Sequence, residues 1–214
     1  QPINERKGLT VHKTHWLRAT RRPDEFWELA LAAAEAVGVP LDINTVDDEI
    51  ASRHYRYDDP TTRRIKFLLN FVLSYEEDRL IIEEIFRKEI SGHAFCELMY
   101  MSDEQVAELS RNHMVGSHCH AHIPLATLPQ DKLSTELEKP KVILEELVGY
   151  PVEIVSYPYG GPSAVSWEVA NVAQRVGYVS GITTERSLNQ SLMNPLLLAR
   201  VATNDAPGGE SPQF

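Results

Sequence analysis

Cysteine is scarce in this chain, with only two among 214 residues. Cys96 and Cys119 do not make up the disulfide framework typical of small secreted domains. Free thiols suit a reducing compartment, so cysteine usage favours the cytoplasm over the cell envelope or the extracellular space.

An excess of positive charge and long apolar runs are also missing. The chain has 21 Lys and Arg against 31 Asp and Glu, a formal net charge of −10. This balance argues against a broad surface for nucleic acid or anionic membranes. No apolar run approaches the roughly 18 residues of a membrane span. Hydrophobic residues still make up 43% of the chain, which is enough to bury the core of one domain or two small ones.

The first hundred residues are predicted to be mainly helical, because their apolar side chains recur at helical spacing. Gly38 and Pro40 end the first of these helices, and Ser102 with Gln105 forms a capping box that starts another. A mainly helical segment is therefore expected over 1–100, with helices at 24–37, 61–73 and 76–90.

The second half alternates between strands and helices, which predicts a parallel sheet or barrel with connections of the usual right hand. Pro140 is expected to kink or break the first of the helices, since it lacks an N–H. Sites in such folds gather at the carboxyl ends of strands. The predicted strands are 114–115, 152–155, 178–182 and 196–201, and the helices are 131–148 and 166–176.

Three histidines occur within the segment 116–122, Gly-Ser-His-Cys-His-Ala-His. His118 and His122 are four residues apart, which places them on one side of a helical or turn-like backbone, while His120 points elsewhere. Zinc favours neutral imidazole ligands, and this spacing is common in its sites. The alternative is a polar loop that is rich in histidine by chance.

Two motifs resemble the NodB-homology domain of polysaccharide deacetylases. The segment 116–125 is similar to the family's second motif, a glycine followed by His-Thr-x-x-His. The segment 156–160, Ser-Tyr-Pro-Tyr-Gly, is similar to its third motif, Arg-x-Pro-Tyr/Phe-Gly. The resemblance is best from about residue 100 to residue 205.

The resemblance implies an α/β fold, a distorted and incomplete (β/α) barrel with a helical insertion in the N-terminal half. The expected organisation is a helical segment at 1–100 packed on the barrel, the C-terminal part of the barrel at 101–205, and a loose tail at 206–214.

The family's first motif, Thr-Phe-Asp-Asp-Gly, is not found; its nearest match, 45–49, is interpreted as a solvated loop or helix start. We expect the opening strand to lie upstream of Gln1. An incomplete barrel leaves strand edges that a second copy of the chain could cover.

The resemblance also implies a metal-dependent hydrolase that removes an N-acetyl or other acyl group from an amino sugar or polysaccharide. It assigns a divalent metal, zinc above all, to His118 and His122, and the Tyr159 backbone N–H to the oxyanion. Arg200 is either a catalytic substitute for the arginine missing from the third motif or an ordinary strand-end residue. The third motif implies substrate contacts, with a rigid turn as the alternative, for Tyr157, Pro158, Tyr159 and Gly160.

Several departures keep a second function open, a catalytically degenerate domain that binds carbohydrate without turnover. Ser156 stands where the family has arginine, Cys119 where it has threonine, and no histidine follows His122. Cys119 is either a small buried filler or a metal-ligating thiol. A purely structural zinc site is a third possibility, although it would need four ligands. We expect little or no hydrolysis from this chain alone, because the third ligand and the base of the family belong to the first motif.

Overall fold

The computed structural model describes residues 5–190, 194–210 and 212. The chain forms two compact units, Gln1–Tyr100 and Met101–Phe214. The first unit is helical, as predicted. Its α-helices are α1 (Thr10–Ala19), α2 (Pro23–Val37), α3 (Asp48–His54), α4 (Pro60–Phe67), α5 (Tyr75–Phe86) and α6 (Gly92–Met99).

Local signals in the sequence set the ends of these helices. Pro23 occupies the first turn of α2, and Gly38 ends that helix in the left-handed conformation with φ 73°. A capping box between Ser74 and Glu77 starts α5. Asp47 caps α3 by accepting hydrogen bonds from two backbone N–H groups, so the interpretation of 45–49 as a helix start is confirmed.

Two predicted helices of this unit differ from the observed ones in extent. The helix predicted over 61–73 is α4 followed by a π-helical turn, Leu68–Val72. The helix predicted over 76–90 ends as α5 at Phe86. Both differences lie at helix ends, where side-chain spacing alone sets the boundary poorly.

The core of the first unit lies between α2 and α5. Small residues on α2 let the two helices approach closely, and large apolar side chains of α5 fill the remaining space. Burying these side chains supplies the main stabilisation of the unit. The core includes Leu17, Phe26, Ala30, Ala33, Ala34, Ile81, Ile82, Phe86 and Phe95.

The second unit contains both helices and strands, which confirms the predicted α/β character. Its regular elements are α7 (Asp103–Ser110), α8 (Gln130–Val148), β1 (Ile154–Ser156), α9 (Trp167–Val176) and β2 (Ser180–Ile182). The Tyr178 hydroxyl donates a hydrogen bond to the Leu137 carbonyl at 2.9 Å and so connects the segment before β2 to α8. None of the described helices is both long and apolar enough to cross a membrane.

The sheet is small and parallel. β1 and β2 pair with Ile154 opposite Ser180 and Ser156 opposite Ile182. Single parallel bridges extend the sheet on both sides, from Ser117 to Val155 and from Ile182 to Leu198. The spatial order is therefore residue 117, β1, β2, residue 198.

A closed barrel is not shown by the described residues. The strand predicted at 114–115 is not formed, and a single bridge follows it at Ser117; the strand predicted at 196–201 is reduced to a single bridge at Leu198. Met114 is 78% exposed, and a 3₁₀ turn, Pro195–Leu197, occupies the start of the last predicted strand. The predicted tail at 206–214 lies partly outside the described residues.

Of the two outcomes predicted for Pro140, a kink or a break, the break is wrong, because α8 runs through this residue from Gln130 to Val148. A proline inside a helix removes the hydrogen bond to the carbonyl four residues earlier. Here that carbonyl belongs to Glu136, and it accepts the His120 N–H instead. A partner from outside the helix thus satisfies the acceptor that the proline leaves open.

A buried carboxyl in the first unit makes its stability depend on pH. Asp78 on α5 is 8% exposed, and the described residues provide no hydrogen-bond partner for its Oδ1. Burial raises the pKa of Asp78 to about 8. The folded chain therefore keeps a proton that the unfolded chain releases above about pH 4, and stability falls as pH rises from about 4 to 8.

We predict that Asp78→Asn removes this loss. We expect urea unfolding at pH 5, 6.5 and 8 to show that the free energy of unfolding of the variant rises relative to that of the wild type. The relative rise from pH 5 to pH 8 should be at least about 1 kcal/mol. Glu35→Gln is the control, because Glu35 is an exposed carboxylate on α2. Parallel pH profiles for wild type and Asp78→Asn would contradict the prediction.

Candidate active site

The histidine-rich segment joins the sheet through Ser117. The Ser117 N–H donates to the Ile154 carbonyl at 2.8 Å, and the Ser156 N–H donates back to the Ser117 carbonyl at 2.9 Å. A Cβ at Gly116 would lie 3.2 Å from the Ile154 carbonyl oxygen, so the approach to β1 is close. The chain therefore delivers His118 to the end of β1, as the parallel-sheet prediction required.

The rings of His118 and His122 lie together, with centroids 4.9 Å apart and planes at 78°. His118 Nδ1 is 2.5 Å from the Ser156 carbonyl oxygen. A carbonyl only accepts, so Nδ1 carries a proton, and in the neutral ring Nε2 keeps its lone pair. This is the arrangement that prepares a histidine for a metal, in which one nitrogen is held by the backbone and the other is left to coordinate.

The backbone between the two histidines is not helical. Cys119 and His122 have positive φ values of 63° and 58°. Each left-handed conformation costs a non-glycine residue about 1–2 kcal/mol. Strained residues of this kind persist only where the surrounding structure enforces them, and they concentrate at functional sites.

His120 points away from the pair, as predicted, and is buried. Its Nε2 is 3.0 Å from Lys139 Nζ, and because an ammonium only donates, Nε2 is the acceptor. The neighbouring Ala121 N–H donates to Glu136 Oε2 at 2.8 Å. Burial raises the pKa of Glu136, and the hydrogen bond from Ala121 partly opposes that rise.

Burial also raises the pKa of the Cys119 thiol well above its ordinary value. A metal binds the thiolate rather than the thiol. A bound ion would itself lower that pKa, so for the half-buried Cys119 both the filler and the metal-ligating interpretation stay open.

The third motif divides into a buried half and a half that reaches the histidines. Tyr157 is 1% exposed, and its hydroxyl donates to the Leu196 carbonyl at 3.0 Å. Gly181 makes this possible, because a Cβ there would lie 2.5 Å from the Tyr157 hydroxyl oxygen. Pro158 is buried as well. These two side chains form the rigid turn with its aromatic wall, and a substrate contact through either stays a prediction.

Tyr159 and Gly160 lie on the side of the histidine pair. The Tyr159 ring is 5.1 Å from that of His122. Tyr159 has φ 60°, and the Gly160 N–H donates to the Pro158 carbonyl at 2.7 Å, which closes a tight turn around the tyrosine. Thr184 Oγ1 holds the turn from the other side by donating to the Tyr159 carbonyl at 2.7 Å.

A cavity of about 170 Å³ adjoins this turn, with Gly160, Thr183, Glu185 and Trp167 among its lining residues. The Trp167 side chain is 69% exposed. Sequence reasoning missed Trp167. The available signal was its position directly after Ser166, which caps α9, the first helix after the third motif.

Arg200 is exposed. Its backbone N–H donates to the Glu185 carbonyl at 3.0 Å. The described residues offer its guanidinium neither a hydrogen bond nor an ion pair. Its catalytic role stays a prediction.

The donor set fits a zinc ion in part. His118 and His122 supply two imidazoles with suitable chemistry, whereas a catalytic zinc has three protein ligands and an open position. Within 5–190, 194–210 and 212, no three or more His, Cys, Asp or Glu side chains cluster as a metal site would require.

The turn at Gly160 generates a stability prediction. Gly160 has φ 57°, and a Cβ there would lie 2.6 Å from the Thr184 nitrogen. Gly160→Ala should lower the free energy of unfolding by about 2–4 kcal/mol, since it adds both a clash and backbone strain. Chemical denaturation measures the change.

Gly161→Ala is the matched control, because its added Cβ would meet nothing closer than 3.9 Å and its φ is not in the left-handed region. This variant should stay within about 0.5 kcal/mol of the wild type. If both variants lost the same free energy of unfolding, the close approach of Gly160 to Thr184 would not be the reason that the turn requires glycine.

One family of known proteins matches part of this chain. The polysaccharide deacetylase family model matches residues 84–180. No curated protein matches the chain.

Two solved structures are similar to part of the chain. The deacetylase PplD of Streptococcus pyogenes, in complex with acetate, is 22% identical with a TM-score of 0.44, over 47% of this chain and 44% of that one. The polysaccharide deacetylase BC0361 of Bacillus cereus is 24% identical with a TM-score of 0.41, over 47% of this chain and 32% of that one. The chain thus spans less than half the length of either protein. The family match itself confirms the resemblance of this chain to the polysaccharide deacetylases over residues 84–180.

Proposed function

We propose that this chain is part of a metal-dependent hydrolase that removes an N-acetyl group from an amino sugar or glycan. One observation carries the proposal: the rings of His118 and His122 lie 4.9 Å apart at the end of β1. The Ser156 carbonyl fixes the tautomer of His118 so that Nε2 is available to a metal. The family match over 84–180 supports the reaction class.

Amide hydrolysis requires a polarised carbonyl, an activated water and a proton for the departing amine. A bound zinc ion supplies the first two by acting as a Lewis acid and lowering the pKa of water. His118 and His122 would hold the ion. The Tyr159 ring packs against that of His122, and the backbone N–H of the same residue would donate to the oxyanion that forms on the acetyl group. Arg200 is retained as a proposed catalytic residue.

The proposal requires a third ligand and a base beyond the two histidines. Carboxylates serve both roles in the family that the sequence resembles. The described residues bring no cluster of three such donors together. We therefore propose that residues 1–214 bind zinc weakly and hydrolyse poorly without further carboxylates.

The proposed sugar site is the cavity beside Gly160. Trp167 offers an exposed indole as an apolar wall, while Thr183 and Glu185 provide polar groups for hydroxyls. An apolar wall with a few polar groups is the usual composition of a small-molecule site. Gly160 lines this cavity, and the preceding residue, Tyr159, packs its ring against His122, so the turn links the proposed sugar site to the histidine pair.

We also propose that the second unit is part of a distorted (β/α) barrel. The parallel register of β1 and β2 supports this, as do the parallel bridges at Ser117 and Leu198 on either side. A second copy of the chain covering the sheet edges remains part of the proposal.

The second candidate function is carbohydrate binding without turnover. The exposed guanidinium of Arg200 favours it, because the described residues show no contact that orients this side chain toward a base. Ser156 in place of the motif arginine points the same way.

Amine release separates the two functions. The assay uses the longest natural protein that contains residues 1–214 and a panel of N-acetylated oligosaccharides, with and without chelator. We predict release that stops with chelator and returns with zinc. His118→Ala and His122→Ala should each lower kcat/KM at least about 100-fold. Loss of a metal ligand should lower activity at least as much as loss of a residue that hydrogen-bonds to a metal ligand.

His113→Ala is the control, since this exposed histidine lies outside the pair, and it should keep the wild-type kcat/KM. Oligosaccharide binding without chelator-sensitive amine release would overturn the hydrolase in favour of the binding domain.

A further inference from the structure

Pro140 and Glu136 connect α8 to the histidine-rich segment through backbone chemistry. Pro140 has no N–H, so the Glu136 carbonyl lacks the donor that an uninterrupted helix would provide. The His120 N–H takes that place at 3.1 Å. A feature that usually weakens a helix here creates an acceptor for a different part of the chain.

The side chain of Glu136 binds the next peptide group. Its Oε2 accepts the Ala121 N–H at 2.8 Å, and the residue is 8% exposed. One residue of α8 therefore holds two consecutive backbone N–H groups of the loop, one with its carbonyl and one with its carboxyl.

These two N–H groups lie between the strained residues. Cys119 and His122, with φ 63° and 58°, flank His120 and Ala121 on either side. A left-handed conformation at a non-glycine residue persists only where its surroundings enforce it. The two hydrogen bonds to Glu136 act on the peptide groups between the two left-handed turns, and the contact between His120 and Lys139 adds a third attachment to α8.

We propose that Glu136 is a positioning residue for the metal ligands and that Pro140 frees its carbonyl for this task. We call two hydrogen bonds together the Glu136 clamp. In the first, the His120 N–H donates to the Glu136 carbonyl; in the second, the Ala121 N–H donates to Glu136 Oε2. The clamp fixes the loop so that the rings of His118 and His122 converge. The hydrogen bonding can be tested by itself, and only its consequence for a metal rests on the proposed function.

A merely structural role and a positioning role predict different results for Pro140→Ala. Alanine restores an N–H that competes with His120 for the Glu136 carbonyl, and it is a far better helix former than proline. If the clamp exists, Pro140→Ala should have a free energy of unfolding no lower than that of the wild type, while the amides of the loop should be less protected from exchange. A proline that only packs against its neighbours predicts unchanged loop protection.

Amide hydrogen exchange of the metal-free protein, followed by NMR, tests the clamp directly. In Pro140→Ala the His120 amide should exchange at least about tenfold faster, while amides elsewhere on α8 keep their protection. In Glu136→Ala the Ala121 amide should also exchange faster. Glu136→Gln should restore Ala121, because its side-chain oxygen still accepts. Unchanged exchange at His120 and Ala121 in Pro140→Ala and Glu136→Ala would overturn the clamp.

Zinc affinity, measured by titration calorimetry on the same variants, tests the positioning role. Pro140→Ala and Glu136→Ala should weaken zinc binding by about tenfold, as supporting groups around a metal usually do. Glu138→Ala is the matched control, since Glu138 is an exposed residue of the same helix, and it should match the wild type. If Glu136→Ala does not fold, Pro140→Ala and Glu136→Gln still decide the question.

The outcomes separate the two proposals. Faster exchange together with unchanged zinc affinity would refute the positioning role. No zinc binding by the wild-type protein would refute the proposed metal site, whereas the exchange experiment would still support or overturn the clamp.

Discussion

The site depends on one backbone pairing, that of Ser117 with β1. Two hydrogen bonds, from Ser117 to Ile154 and from Ser156 to Ser117, extend the parallel sheet by a single residue. Because of this pairing, His118 leaves the sheet beside the Ser156 carbonyl, which then fixes its tautomer. The same strand continues into the third motif, so one strand end organises both motifs. If the pairing were lost, the histidines and the Tyr159 turn would have no common support.

Strain is concentrated where the two motifs meet. Cys119, His122 and Tyr159 all have positive φ, and the rings of His122 and Tyr159 are in contact. The surrounding hydrogen bonds offset this strain. Glu136 holds the first loop, while Thr184 holds the second through the Tyr159 carbonyl. Such a division, with a rigid scaffold and strained residues at the ligand-facing loops, is how folded proteins preorganise a site.

The sequence predicts local features of this molecule well and its long-range features less well. Capping residues and apolar spacing placed the helices, including the capping box at Ser102 that starts α7. The break predicted at Pro140 does not occur, because the open carbonyl of Glu136 is satisfied by His120, a residue twenty positions before Pro140 that no helical pattern reveals. The outer strands were overestimated because apolar residues near Met114 and Leu196 do not show whether a neighbouring strand is present.

The sequence predicted the two candidate metal ligands of the site, but not the residues that surround them. The spacing of His118 and His122 anticipated that their rings converge, although the backbone achieves this through left-handed turns rather than a helix. Trp167 was missed, because its position after Ser166 is a weak signal and its role as a cavity wall arises only when α9 packs beside the Tyr159–Gly160 turn. Tyr157 looked like a binding residue in sequence, yet its hydroxyl reaches across Gly181 to Leu196 in the interior.

Zinc K-edge X-ray absorption on protein loaded with one equivalent of zinc shows whether His118 and His122 bind the same ion. We expect a shared ion, with scattering from two imidazole rings with nitrogen at about 2.0 Å, oxygen atoms in the remaining positions and no sulfur. A zinc–sulfur distance of about 2.3 Å, or a spectrum unchanged by His122→Ala, would contradict it.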